Sequence, residues 1–135
     1  MTQSDKELLL KDLCARLPYN VKVKVECGDI PYGPTVLSKL DIKRKVALFD
    51  FEVRIENCKP YLHPMSSMTE EECIELGNIN ATIENISEVI PNVPYYIEVA
   101  CSKQIDWLNA HYFDYRGLIE KGLAIAVTKE NNPYK

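Results

Sequence analysis

Apolar positions recur with a helical period at the start of the chain. Leu9, Leu10, Leu13, Cys14 and Leu17 follow one another at helical spacing among the charged positions Lys6, Glu7, Lys11 and Asp12. Ser4 with Glu7 reads as a capping box, in which each side chain satisfies a backbone N–H at the helix start, so a helix is predicted over about 5–16, stopped by Pro18. The period then changes to two. Val21, Val23, Val25 and Cys27 alternate with Lys22, Lys24 and Glu26, the pattern of a strand with one buried and one wet face. Proline cannot donate to a ladder, so Pro31-Tyr32-Gly33-Pro34 is expected to be a loop, leading to a second strand near 35–42 and a Lys43-Arg44-Lys45 turn. A third strand is predicted with Ala47, Phe49, Phe51, Val53 and Ile55 on one face and Asp50, Glu52 and Arg54 on the other. Short connections favour an antiparallel three-strand meander with the first helix across its apolar face.

In the second half, residues 59–68 read as an ordered crossing loop. Thr69 and Glu72 then form a second capping box, with Met68 and Cys73 placed as a hydrophobic staple. Ile79, Ile83, Ile86 and Ile90 fit a helix, Tyr95 to Ala100 reads as a strand, and Ser102 is placed to cap a helix carrying Ile105, Leu108 and Tyr112. A short turn begun by Asp114 and ended by Gly122 precedes an apolar run, Leu123 to Val127. The expected fold is a single α+β domain over residues 1–135: an N-terminal helix on the meander, then short helices and one or two further strands.

Composition narrows the classes. With 46% hydrophobic and 27% charged residues in 135, the chain is a globular sequence, neither disordered nor low-complexity. No apolar run approaches the roughly 20 residues of a membrane span, and no apolar signal core stands near the start, so the expected location is cytoplasmic with no membrane partner. The net charge of −4 conceals an asymmetry: residues 1–60 hold 11 Lys/Arg against 9 Asp/Glu, residues 61–135 only 5 against 11. The best basic cluster, Lys43-Arg44-Lys45, is too small for the basic face that phosphate backbones require, which argues against nucleic acid. Five cysteines, widely spaced and without a Cys-x-x-Cys pair, argue against a disulfide framework. Cys58 with His63 is one loose pair, short of a zinc ligand set, and the five glycines form no phosphate-cradling loop. Neither metal nor cofactor is expected.

The densest group of chemically capable residues lies at 106–117: Asp106, Trp107, Asn109, His111, Tyr112, Asp114, Tyr115 and Arg116. As an enzyme, His111 would act as general base oriented by Asp106 or Asp114, with Arg116 binding an anion. As a binding surface, Trp107 and Tyr115 would stack against a partner beside exposed Arg116, because Trp, Tyr and Arg dominate binding hot spots. As structure, His111 would serve exposed helix carbonyls, Asp114 would cap a turn, and the aromatics would fill the gap between helix and sheet.

Three blocks of sequence carry a resemblance. Leu8 to Tyr19 is the first. The second joins Lys59-Pro60-Tyr61-Leu62 to Ser66 through Glu72, and the third joins Ile105-Asp106-Trp107-Leu108-Asn109-Ala110-His111 to Phe113 through Ala124. With these the chain resembles a group of short uncharacterised proteins encoded by gut bacteria and their phages or prophages. The resemblance implies a mobile-element accessory protein and transfers no catalytic residue. The expectation is therefore a non-enzymatic protein that binds another macromolecule, a protein, through Trp107, His111, Asp114, Tyr115 and Arg116. The alternatives are a small-ligand (nucleotide) binder and a small hydrolase-like enzyme using His111, Asp114 and Arg116.

Overall fold

The computed structural model describes residues 1–27, 30–49, 51–77, 86–89 and 99–134. Its class is α+β, with an N-terminal helix packed on strands and short helices later, as the periodicities predict. Helix α1 (Gln3–Arg16) starts earlier than expected, because Thr2 and Asp5 make the capping box: the Thr2 hydroxyl accepts from the Asp5 amide, and Asp5 accepts from the Thr2 amide. Two cap signatures overlap in Thr2-Gln3-Ser4-Asp5-Lys6-Glu7, and the one that lengthens the helix is used. The buried face is also rotated from the predicted one. Leu9, Asp12, Leu13 and Arg16 point inward, while Leu10, Cys14 and Leu17 are half-buried.

A 3-10 turn (Leu17–Tyr19) and left-handed Asn20 turn the chain into strand β1 (Lys22–Cys27). Strand β2 (Ile30–Val36) runs straight through the prolines expected to form a loop, pairing antiparallel with β1 across an irregularity between Val23 and Val25. It lies at the edge of its sheet, where missing N–H donors are tolerated. Gly33 permits the close approach: its φ is +113°, and a Cβ there would sit 2.6 Å from the Val23 carbonyl oxygen.

The expected third strand is two strands. β3 (Leu40–Asp41), β4 (Val46–Leu48) and β5 (Glu52–Arg54) make their own antiparallel sheet; the chain reverses between β4 and β5, and the Phe49 amide donates to the Phe51 carbonyl. The strand beside β1 is instead β6 (Cys58–Leu62), from the stretch read largely as a loop. It pairs antiparallel with β1 and parallel with β9 (Ile125–Ala126).

A 3-10 turn (Met65–Ser67) leads to α2 (Glu70–Gly77), started by the expected box: Thr69 Oγ1 accepts from the Glu72 amide at 3.1 Å, and Glu72 accepts from the Thr69 amide at 2.9 Å. Within the segment whose isoleucines fit a helix, β7 (Ile86–Val89) is a strand, antiparallel to β8 (Val99–Cys101). β-branched residues favour a strand once a partner is supplied. Residues 78–85 and 90–98, which include most of that expected helix and the start of the Tyr95 strand, lie outside the described residues. Helix α3 (Ser102–Ala110) follows.

Two apolar clusters result. The larger joins Leu9 and Leu13 of α1 to Val21, Val23, Val25, Val53, Ile55, Leu62, Leu118 and Leu123; the smaller gathers Met65, Met68, Cys73, Leu76, Leu108, Phe113 and Tyr115. Between them the backbone itself makes a tie. The His63 amide donates to Tyr112 at 2.7 Å and the Asp114 amide donates to His63 at 2.9 Å, fixing the 106–117 segment to the end of β6.

Candidate functional site

Residues 106–117 separate into an outward and an inward group. Outward, Trp107 of α3 and His111, just past the end of that helix, stack at 4.0 Å between ring centroids, with Phe113 stacked on the indole at 5.8 Å. The indole N–H donates to Glu75 at 3.0 Å, pinning the ring to α2. His111 Nδ1 lies 2.8 Å from the Trp107 carbonyl. A carbonyl only accepts, so the imidazole carries its proton on Nδ1 and serves the end of the helix. Trp107 is half-buried and His111 exposed. The expected Trp107–Tyr115 stacking surface is not formed, since Tyr115 is buried in the other group.

Inward, Asp114 spends both carboxylate oxygens on backbone: Oδ1 accepts from Leu118 at 2.8 Å and Oδ2 from Ile119 at 2.9 Å. It caps the turn that precedes Gly122 and does not orient His111. Arg116, expected as an exposed contact, is a correction: only 6% of its side chain meets solvent, and it donates to Asp12 Oδ1 at 3.0 Å. The other oxygen of Asp12 accepts from Arg16 Nε at 2.9 Å, and Arg16 also donates to the Phe113 carbonyl. Asp12 and Arg16 have no exposed side-chain surface. The Tyr115 ring underlies both guanidiniums, with Arg116 at 4.4 Å and Arg16 at 5.4 Å from its centroid, and its hydroxyl donates to Asn109. Burial pushes the Tyr115 hydroxyl above its ordinary pKa, with the two arginines opposing.

Sequence reasoning missed Asp12 and Arg16. The visible signal was their place, since positions 9, 12, 13 and 16 form one face of a helix and two of them are charged.

Beside this segment, burial pushes the His63 imidazole below its ordinary pKa, opposed by Glu72 and reinforced by His111. Its ring lies 5.5 Å from Phe113 and 6.3 Å from Tyr134, which stacks on Tyr112 at 3.9 Å. Burial drives the Cys58 thiol up to about 12, the opposite of nucleophile activation. Among the described residues no group of three or more His, Cys, Asp and Glu is placed to hold a metal ion, and no helix is long and apolar enough to cross a membrane.

A second surface was also missed. Tyr32 of β2 meets Phe49 at 6.3 Å and Phe51 at 5.7 Å, both edge-on, and Phe49 meets Phe51 at 6.0 Å. Tyr32 is 46% and Phe51 42% exposed. Strict alternation had placed Phe49 and Phe51 in the core; Phe49 is half-buried against it, whereas Phe51 is exposed, and nothing in Leu48-Phe49-Asp50-Phe51 carries the Gly or Pro that signals a reversal. Compared with known proteins, the chain matches no family model, no curated protein and no solved structure.

Proposed function

We propose that this chain is a non-enzymatic accessory protein of phage or prophage type that acts by binding a partner protein. The observation that carries the reading is the aromatic cluster of exposed Tyr32 and Phe51 with half-buried Phe49, which packs on the larger core. Aromatic side chains supply large contact area at low entropic cost, and contiguous exposed apolar surface is characteristic of interaction sites. Tyr32 lies on β2, and Phe49 and Phe51 flank the reversal between β4 and β5, closed by the hydrogen bond from the Phe49 amide to the Phe51 carbonyl. Trp107 and His111 offer a second, smaller contact, pre-ordered by Glu75 and the Trp107 carbonyl.

The enzymatic alternative finds less support in the geometry. Its three residues do not converge, because His111 serves a helix carbonyl, Asp114 serves two amides, and Arg116 pairs with Asp12. The phage setting rests on the resemblance of the sequence blocks.

The test is affinity capture from the native host, comparing the tagged protein with a Tyr32→Ser/Phe51→Ser variant and a Trp107→Ser variant. The expected result is a stoichiometric protein partner that the double variant loses while keeping its fold by circular dichroism. Capture of the same partner in equal yield by the double variant would overturn the assignment of that surface.

A further inference from the structure

Past β9 the chain folds back onto the neighbouring strands. Residues 128–131 are exposed, and Thr128 and Asn131 bond to each other's backbone; Asn132, Pro133 and Tyr134 are then drawn in to half-burial. The place they reach is the end of the β1–β6 ladder. Its register pairs Val25 with Cys58, Lys24 with Lys59 and Val23 with Pro60, so Lys22 and Tyr61 stand where the next rung would be. Tyr134 supplies that rung. Its hydroxyl accepts from the Lys22 amide at 3.1 Å and donates to the Tyr61 carbonyl at 2.8 Å, and the Lys22 ammonium donates to the Pro133 carbonyl at 2.6 Å.

The seat is held by chain outside the segment that fills it. Tyr112, on which the Tyr134 ring stacks at 3.9 Å, packs against the larger apolar cluster; its hydroxyl donates to the Tyr19 carbonyl, and its carbonyl accepts from the His63 amide. Its φ of +60° is unfavourable for a bulky side chain, and these ties hold it there. Tyr134 itself belongs to neither apolar cluster. Among the described residues its segment is fastened by ring contacts with Tyr112 and His63 and by three hydrogen bonds to Lys22 and Tyr61, the profile of a segment that opens while the core stays closed. Opening leaves a backbone donor and a backbone acceptor facing each other, and a phenol suits both, since one oxygen donates and accepts at the end of a ring that lies flat on Tyr112.

We propose that residues 131–134 are a detachable strap, and that the seat beneath them takes the same tyrosyl segment from a second copy of this chain. The contacts are identical in the two arrangements. Only the path of the exposed 128–131 turn differs, which makes exchange of such a segment a low-cost route to association. The inference does not rest on the Tyr32–Phe49–Phe51 surface.

The test pairs two variants of the whole chain. Tyr134→Ala keeps the seat and lacks its occupant; Tyr112→Gly keeps the strap and suits the left-handed backbone, but lacks the platform. Both should fold by circular dichroism, and their equimolar mixture should sediment at twice the mass of either alone, with the Lys22 amide of 15N-labelled Tyr134→Ala returning toward its wild-type resonance. A synthetic peptide of residues 128–135 should bind Tyr134→Ala saturably and the wild type about tenfold or more weakly, because the tethered segment competes. The same peptide with Phe in place of its tyrosine should lose about tenfold or more, having neither bond of the hydroxyl. Unfolding of Tyr134→Ala, absence of peptide binding to it, equal binding by the wild type, or indifference to the hydroxyl overturns the seat. Peptide binding with no heavier species in the mixture of folded variants overturns the second copy as its occupant.

Discussion

Among the described residues the protein carries two arginine–carboxylate assemblies of opposite proportions. Inside, two guanidiniums share Asp12; on the β3–β5 sheet, Arg44 is shared by two carboxylates, bonded to Glu52 and 3.9 Å from Asp41. The inner assembly joins α1 to the 113–116 segment across nearly the whole chain, whereas the outer one stays within the three short strands β3 to β5, with Arg44 and Glu52 exposed. Water and salt weaken the outer attraction, and ordering two long side chains opposes it. Inside, the cost of removing both ions from water has already been incurred, so each remaining partner is needed. The same pair of functional groups is thus a fastening in one place and a surface detail in the other.

Removing the shared carboxylate is the most direct way to break that contrast. Asp12→Ala leaves two buried guanidiniums facing each other over Tyr115, and should destabilise the protein by about 3–5 kcal/mol, the scale for orphaning a buried ion pair. Denaturant melts measure it. A loss below about 1 kcal/mol would mean that the arginines find water when Asp12 is gone, and the inner cluster would then rank with the outer one. Asp12→Asn separates shape from charge, and is expected to fall nearer Ala than wild type because the excess charge rises in both.

This cluster also shows where the sequence stops being legible. Elements with one clear partner rule were readable: α1 from its apolar spacing, β1 from its alternation, α2 from Thr69 and Glu72. What failed were positions decided by distant chain. Pro60 and its neighbours look like a loop until β1 and β9 supply ladders on either side. Phe51 looks like core until the reversal between β4 and β5 is seen. Arg116 looks like a surface contact because Asp12, its partner, is 104 positions earlier. At the candidate site, the capping role of Asp114 and the helix-end role of His111 were legible, since both depend on nearby backbone. The burial of Tyr115 was contained in the reading of the aromatics as filling between helix and sheet, but that of Arg116 was not.

Asp114 tests an intermediate case, a buried carboxylate bonded to amides alone. Asp114→Ala should cost about 1–2 kcal/mol, the upper part of the range for lost caps, because two amides lose their acceptor. Asp114→Asn keeps one accepting oxygen and turns its NH2 toward the other amide, so it should fall between Ala and wild type. If Asn matched wild type, only one of the two hydrogen bonds would contribute, and the segment would be held chiefly by the His63 ties and the Asp12–Arg116 pair.

The outer pair should give the smallest effect, and its pH dependence has a definite sign. Hydrogen bonding to Arg44 lowers the Glu52 pKa from 4.5, so the native carboxyl binds its proton less readily than the unfolded one. Its contribution is therefore complete above the unfolded value of 4.5 and fades as pH falls through the depressed native value. Glu52→Gln should leave the unfolding temperature unchanged at neutral pH in high salt. At low salt it should open a small gap that closes as the solution is acidified below that range, since the protonated wild-type residue then resembles glutamine. A gap as wide as that of Asp12→Ala, or one indifferent to salt, would show that exposure is not what separates the two assemblies. Their contrast would then have to come from the small sheet, where Arg44 ties Asp41 of β3 to Glu52 of β5.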